Sequence, residues 1–309
     1  MDNQLRGNTM SRLAISAPPR PARLPRPPDE QLRLSGAVPF FTVHLAAVLG
    51  VFLVDCSWSM VFLCVAMYYA RMFGVAAGFH RYFAHRTFKT SRQFQFVLAV
   101  LGTTAAQRGP GWWPGKHREH HRYADTALDV HSPSIQGFWW AHMLWFLCAK
   151  HDGTPEKIAA EFKAYPEIGW LDRNYLLPPL GLALTTLAIW GIPGLFWGFF
   201  LSTVLLWHGT FTVNSVMHLA SVGCRRYQTN DTSRNVWWLW FVTLGENWHN
   251  NHHHYESSEK QGFYWWEIDL AHWGLVALSR VGVVWDIKRP TPAALAGYPH
   301  ESATGPPAT

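Results

Sequence analysis

Charge is scarce in this 309-residue chain. Lys, Arg, Asp and Glu make up 15% of it against 49% hydrophobic residues, where roughly 25% charged is usual for a soluble domain. The shortage is also uneven. Between positions 34 and 70 the only such residue is Asp55, and between 174 and 224 there is none. Neither stretch can coat a soluble surface, and each is long enough to cross a bilayer twice at roughly 20 residues per helix. Cysteine is sparse too. Cys56, Cys64, Cys148 and Cys224 form no CxxC pair and no regular spacing, which excludes a disulfide framework, a zinc ribbon and a thiolate-held iron–sulfur cluster. There is no GxGxxG opening a dinucleotide fold and no CxxCH haem attachment, so a redox reaction here would draw its electrons from another protein. The net charge of +6 is not arranged as a basic-aromatic motif, so no nucleic-acid partner is expected; anionic lipid or an acidic protein suits it better.

The apolar stretches divide at turn signals. "VPFFTVHLAAVLGVFLV" and "WSMVFLCVAMYYARMFGVAAGF" flank Asp55, and "LLPPLGLALTTLAIW" and "LFWGFFLSTVLLWHGTFTVNSVMHL" flank Gly191 to Gly194. The expected fold is an all-α integral membrane protein with four transmembrane helices in two hairpins and a helical cap on one face. Six Arg precede position 34, against Asp2, Asp29 and Glu30, which places that face and both termini in the cytosol by the positive-inside bias. A polar arm of over 30 residues before the first span argues against a cleaved signal peptide. Segments 94–106 and 136–150 are too short or too amphipathic to span and read as interfacial or re-entrant pieces. The expected organisation is a disordered basic, Pro-rich arm over 1–35, one membrane domain over 36–289 and a disordered Pro/Ala-rich tail over 290–309.

Against this oily background stand three histidine clusters: "HRYFAH" (His80, His85), "HREHH" (His117, His120, His121) and "HNNHHH" (His249, His252, His253, His254), with "NSVMH" adding Asn214 and His218. Positions i, i+3 and i+4 share a helix face, so the second and third clusters can each present three imidazoles inward. His80 and His85 would sit about 140° apart on an ideal helix, which predicts that the second span ends near His80 and the chain loosens before His85. The expected topology brings nine of the 17 histidines to one membrane edge. That exceeds the four to six ligands of one first-row metal, so two metals fit. Isolated histidines such as His44, His142, His208 and His272 read instead as interfacial side chains hydrogen-bonded among headgroups.

At "GFHRYFAHRTFKTS", "GKHREHHRYAD", "FTVNSVMH" and "LGENWHNNHHHY" the chain resembles the membrane fatty acid desaturases, in their stearoyl-CoA desaturase-like, delta-9 branch. The resemblance runs from about Val38 to Ile287. It implies metal ligands at His80, His85, His117, His120, His121, His218, His249, His252 and His253, with Asn214 joining through water and His254 uninvolved. It also implies two iron ions, replaceable by zinc in crystallised protein, with O2 as co-substrate. The reaction implied is insertion of a cis double bond into a saturated acyl chain carried as a thioester or lipid ester. The two electrons would come from a cytochrome b5-like or ferredoxin-like donor and its reductase, steered by Arg225, Arg226, Lys288 and Arg289. A diiron hydroxylase or other oxygenase acting on an acyl chain or another hydrophobic substrate is the alternative on the same ligands.

Asp125 and Glu246 are candidates for carboxylates that orient ligand imidazoles. Since the second span delivers His80, the same face one to four turns deeper (Ala76, Phe73, Tyr69, Val65) is expected to line the acyl tunnel, with Tyr69 as its floor. Arg71, within that span, must snorkel, find an interior carboxylate or narrow the tunnel. A bacterial inner membrane is expected ahead of the endoplasmic reticulum.

Overall fold

The computed structural model describes residues 28–297, so most of the expected arm and tail lies outside the described residues. Their inner ends are packed rather than loose. Lys150 donates to Glu30 at 2.5 Å, and His254 Nε2 donates at 3.1 Å to the Ala294 carbonyl in the short helix Pro292–Ala296.

The described chain is almost wholly helical; its one sheet pairs Lys89–Thr90 with Val284–Trp285. Three helical stretches are long and apolar enough to cross a membrane: Leu34–Leu53, Trp58–Ala84 and Leu177–His218. The first, α1, is uncharged along its length and exposes most of its surface. The second begins as α2 (Trp58–Phe73), capped by Ser57 Oγ accepting from Met60 N. The third covers 42 residues, which as one straight helix would run about 63 Å, twice a hydrocarbon core of about 30 Å. It is broken at Gly191, whose φ of 64° and ψ of −155° are not helical, separating the body of α5 (Leu177–Gly194) from Leu195–Leu201 and α6 (Ser202–Asn214). Beyond the break the chain comes back on itself. A Cβ on Gly198 would lie 3.1 Å from side chains of both Thr186 and Leu63.

The second stretch departs from expectation where it matters most. Rather than ending near His80, α2 widens into a π-helix over Gly74–Ala84, shown by the i→i+5 bond from His85 N to His80 O at 3.1 Å. The wider turn puts i and i+5 on one face, and the two rings stand 4.9 Å apart. Segment 94–106 contributes α3 (Arg92–Thr103), packed directly under this π-helix: a Cβ on Gly74 would sit 2.6 Å from the Gly102 nitrogen. The Trp-rich segment 136–150 is several short turns with Trp140 and Trp145 buried and Trp139 outward. The histidines read as headgroup-facing instead bond inside the protein. His44 Nδ1 donates to Phe40 O at 2.8 Å, His44 meets His208 at 3.1 Å, His208 meets His142 at 2.9 Å, and His142 meets Ser215 at 2.8 Å. They fasten α1 to α6 and to Trp140–Leu144. Among the described residues no carboxylate reaches Arg71; it donates to Ser202 Oγ (2.6 Å), Thr203 Oγ1 (2.7 Å) and Met67 O (3.0 Å).

Backbone cannot yield as a flexible side chain can, so Gly74→Ala should destabilise the folded protein by about 1–3 kcal/mol through overpacking against α3. Gly181→Ala, with nothing within 4 Å of its added methyl, should leave the melting temperature of the detergent-solubilised protein unchanged or slightly raised. Equal melting temperatures for both variants would contradict this packing.

Candidate metal centre

Four elements, with the loops behind them, bring the histidines together. They are the π-helix, α4 (Trp112–Tyr123), the turn after α6, and α7 (His249–His254). His80, His85, His117, His121 and His252 each bring one ring nitrogen to within 4.8 Å of the others, and His120, His218, His249 and His253 do the same beside them. All nine expected residues are thus gathered into two groups. The helical triplets do not each serve one group. His117 and His121 join the first while His120, at one edge of the triplet's arc, joins the second; in α7, His252 joins the first and His249 and His253 the second. The faces of α4 and α7 therefore run across both groups, which lie so close that the His121 and His253 rings stack at 4.3 Å.

The nitrogen spacing tests whether a cation fits. Nε2 pairs stand 3.0 Å apart for His80 and His252, 2.9 Å for His85 and His117, 2.9 Å for His121 and His252, and 3.0 Å for His218 and His249. His252 Nε2 faces two other ring nitrogens, and a single proton cannot satisfy three of them. A central metal can, because bonds of about 2.1 Å at right angles place ligand atoms about 3.0 Å apart. Nε2 of His120 and of His253 is buried with no hydrogen-bond partner, which costs free energy unless a metal receives the lone pair.

Behind the rings stand acids. Glu246 pairs with His80 Nδ1, which Gln261 also approaches at 3.2 Å; Asp125 holds His218 Nδ1 at 3.0 Å. Both carboxylates expected from the sequence are therefore in contact with the histidines. Three were missed: Asp129 on His120 Nδ1 at 2.9 Å, Asp231 on His253 Nδ1 at 3.0 Å, and Glu256 on His121 Nδ1 at 3.2 Å. Asp129 lies nine residues past His120 and Asp231 sits in a polar loop, so no helical spacing announces either. His131 was missed as well; it is buried, stacks on His120 at 4.3 Å and completes a third group with His120 and Asp129. Asp125 takes φ of 56°, and it also accepts from Thr232 N and Oγ1, both at 2.7 Å, and from Ser132 Oγ at 2.5 Å. A non-glycine residue held there stores strain, as residues at functional sites often do.

The electrostatics agree with this division of labour. Burial, then neighbouring imidazoles, push His85, His117, His121, His249 and His252 well below the usual imidazole range. Burial lowers His253 to about 4 although Asp231 opposes it. Burial alone would raise Asp125, Asp129 and Asp231, but their histidine partners outweigh it and hold them well below the usual carboxylate range. The six lowered rings therefore favour the neutral form that binds a metal, while at His120 burial is outweighed by Asp129, which raises the imidazole; anionic carboxylates back the site.

Beside the first group lies a cavity of about 550 Å³, reaching His117, His131 and Asn214 and walled by apolar side chains including Phe40, Trp113, Phe199 and Trp207. Gln107 crosses its wall, donating to Thr210 Oγ1 at 3.1 Å and accepting from Trp113 Nε1 at 3.2 Å; Trp113 in turn stacks on His117 at 5.3 Å. None of Val65, Tyr69, Phe73 and Ala76 lines this cavity. Val65 points outward, Ala76 is fully buried, Tyr69 packs in the apolar cluster, and Phe73 sits against Gly274 of α8 (Leu270–Arg280). The four therefore do not share one face, and Ala76 lies within the π-helix rather than in the regular α2 register.

His253→Ala should lower bound metal to about half that of the intact protein, since His253 sits within the second group. His254→Ala should not, because that ring stacks on Tyr227 at 4.0 Å and faces Ala294. Elemental analysis of purified, metal-loaded variants checks this; equal metal loss in both would show the α7 register to be wrong.

Comparison with known proteins accords with the geometry. The family model described as fatty acid desaturase matches residues 57–285. The sn-2 palmitoyl-lipid 9-desaturase of a Nostoc species is 37% identical over 259 residues, covering 82% of this chain and 89% of its own. The sn-1 stearoyl-lipid 9-desaturase of a Synechocystis species is 36% identical over 283 residues, covering 89% and 87%. The acyl-CoA C20 Delta5-desaturase of Anemone leveillei is 34% identical over 244 residues, covering 76% of each. With a family match over most of its length and a histidine-lined pocket beside an apolar cavity, the chain belongs to the fatty acid desaturase family and is an oxidoreductase that desaturates fatty acyl chains.

Proposed function

We propose that the protein is a multi-pass membrane enzyme that places a cis double bond, at the delta-9 position, in a saturated acyl chain of a membrane lipid. Two iron ions held by the nine histidines, with Asn214 nearby, supply O2 activation and hydrogen removal from an unactivated pair of methylenes. The balance is simple. O2 takes two hydrogens from the acyl chain, two electrons from a separate carrier and two protons, leaving an alkene and two waters. The observation that carries this reading is the apolar cavity that ends at His117 and Asn214, because an extended hydrocarbon seated there lies against the histidine groups. The chain's own residues set the outcome by position. Trp113, fixed by Gln107 and stacked on His117, forms the wall nearest the histidines, and a substrate held in register loses its second hydrogen before oxygen is inserted.

The names of the Nostoc and Synechocystis relatives favour a lipid-borne chain. The break at Gly191 supports four spans in two hairpins, and the six Arg before position 34 favour the cytosolic side of a bacterial inner membrane for the histidine groups and both ends. Arg225 and Lys288 on that side suit an acidic cytochrome b5-like or ferredoxin-like donor with its reductase.

The test is turnover by iron-loaded protein with a reduced ferredoxin system and 18O2, using vesicles of distearoyl phosphatidylglycerol. Mass spectrometry should locate a new double bond between carbons 9 and 10 with no 18O in the lipid. Asp231→Asn should lower metal affinity about 10–100-fold, with activity falling alongside, as loss of a carboxylate behind a ligating imidazole does. A hydroxylated, 18O-labelled chain would replace the desaturase reading with an oxygenase.

A further inference from the structure

The cavity has a direction of entry. Among its described lining residues those open to the outside are Ser35 and Pro39, on the first two turns of α1, and Leu176 and Leu180, at the start of α5. Every other lining residue is buried or half-buried. The mouth therefore lies in the fork between these two helices. Deeper in the bundle the fork is closed by Leu195–Leu201, wedged with Phe196 against Gly50 of α1 and Gly198 against Thr186 of α5.

The route from the polar cap is shut. Trp112 and Trp145, both buried, stack at 5.5 Å over the cavity, and Trp112 Nε1 donates to His151 O at 2.5 Å. Arg33 N donates to Leu147 O at 2.9 Å, and the Asp152 carboxylate takes both Arg33 and Arg108. The outside of the fork, in contrast, is apolar. Leu34 and Val38 on α1 and Leu177 and Leu184 on α5 are all exposed, on helices long and apolar enough to cross a membrane, and such a surface is stable only against lipid.

We propose that this fork is a lateral portal through which one acyl chain of an intact membrane glycerolipid slides from the bilayer into the cavity, its glycerol and phosphate staying at the mouth. The inference rests on the desaturase reading above and specifies its substrate as an acyl chain still esterified in the membrane rather than a thioester arriving from water. The mouth is equipped for the polar end. The Arg108 guanidinium sits 5.2 Å from the Trp112 ring and 5.8 Å from the Tyr175 ring, both of which line the cavity. Asp152 is one carboxylate shared by two guanidiniums, so a positive charge remains for a phosphate or ester oxygen. Arg108 is held there with φ of 68°, a strained placement for a non-glycine residue.

The experiment uses full-length protein in phosphatidylglycerol vesicles containing a phosphatidylglycerol with a diazirine on carbon 5 of one stearoyl chain. After illumination, peptide mapping should place most adducts within 35–43 and 175–180. Ser35→Trp/Leu180→Trp, which crowds the fork, should reduce both labelling there and desaturation of vesicle lipid at least tenfold, whereas Leu184→Trp, outside the cavity on α5, should leave both intact. Adducts spread evenly over all lipid-facing helices overturn the portal. So does a fork variant with unchanged melting temperature and metal content that still labels and turns over normally. Labelling of the portal by wild-type protein that makes no unsaturated product would leave the portal standing and remove the desaturase reading. Unsaturated product from stearoyl-CoA in detergent, without labelling at the fork in vesicles, would do the reverse.

Discussion

Imidazole nitrogens packed about 3 Å apart have no stable arrangement of their own, since each lone pair needs a proton or a cation and there are more lone pairs than protons to share. This protein concentrates nine of them in two adjoining groups and removes water from around them. Everything near the site answers that constraint. Burial and neighbouring imidazoles favour the neutral form of His85, His117, His121, His249 and His252, while Glu246, Asp125, Asp129, Asp231 and Glu256 engage the outward Nδ1 atoms. What remains is a set of inward lone pairs whose natural partner is a metal.

The acids are themselves held, so the constraint propagates outward. Glu246 also pairs with Arg81, which reaches Glu259 and Asp269, and Asp269 accepts from the backbone of Gln261 and His272. Asp125 joins the loops on either side of His218 through Ser132 and Thr232. A buried network of this kind is costly if any member is missing, which ties the geometry of the clustered histidines to the folding of the segments around them. The apolar bundle below meets a different demand. It leaves a cavity that reaches His117 and is lined by the Trp112–Trp145 stack, so the cavity and the histidine groups share a wall.

Much of this was legible from the sequence because it depends on local periodicity. Charge-free runs announced the apolar helices, and i, i+3, i+4 spacing announced that α4 and α7 each turn three imidazoles to one side. Asp125 and Glu246, four residues after His121 and three before His249, could be nominated from the same local pattern. The expected tunnel stripe, Val65, Tyr69, Phe73 and Ala76, does not coincide with the lining of the cavity; its inference assumed that regular α-helix continues to His80, whereas Ala76 already lies in the π-helix. The switch to i→i+5 bonding begins at Gly74, where the helix packs closely on Gly102 of α3, a contact between segments that no single-segment pattern contains.

By itself, then, the sequence determined the helical and membrane character, the identity of the nine histidines and the family, since each is written in composition or in spacing within one segment. Only the tertiary structure decided how α4 and α7 divide their imidazoles between two groups, that Asp129, Asp231 and Glu256 stand behind them, that Arg71 is satisfied by Ser202 and Thr203, and that the cavity opens between α1 and α5. Those are contacts between residues tens to hundreds of positions apart, fixed by how helices of given shape pack against one another, and no local rule encodes them.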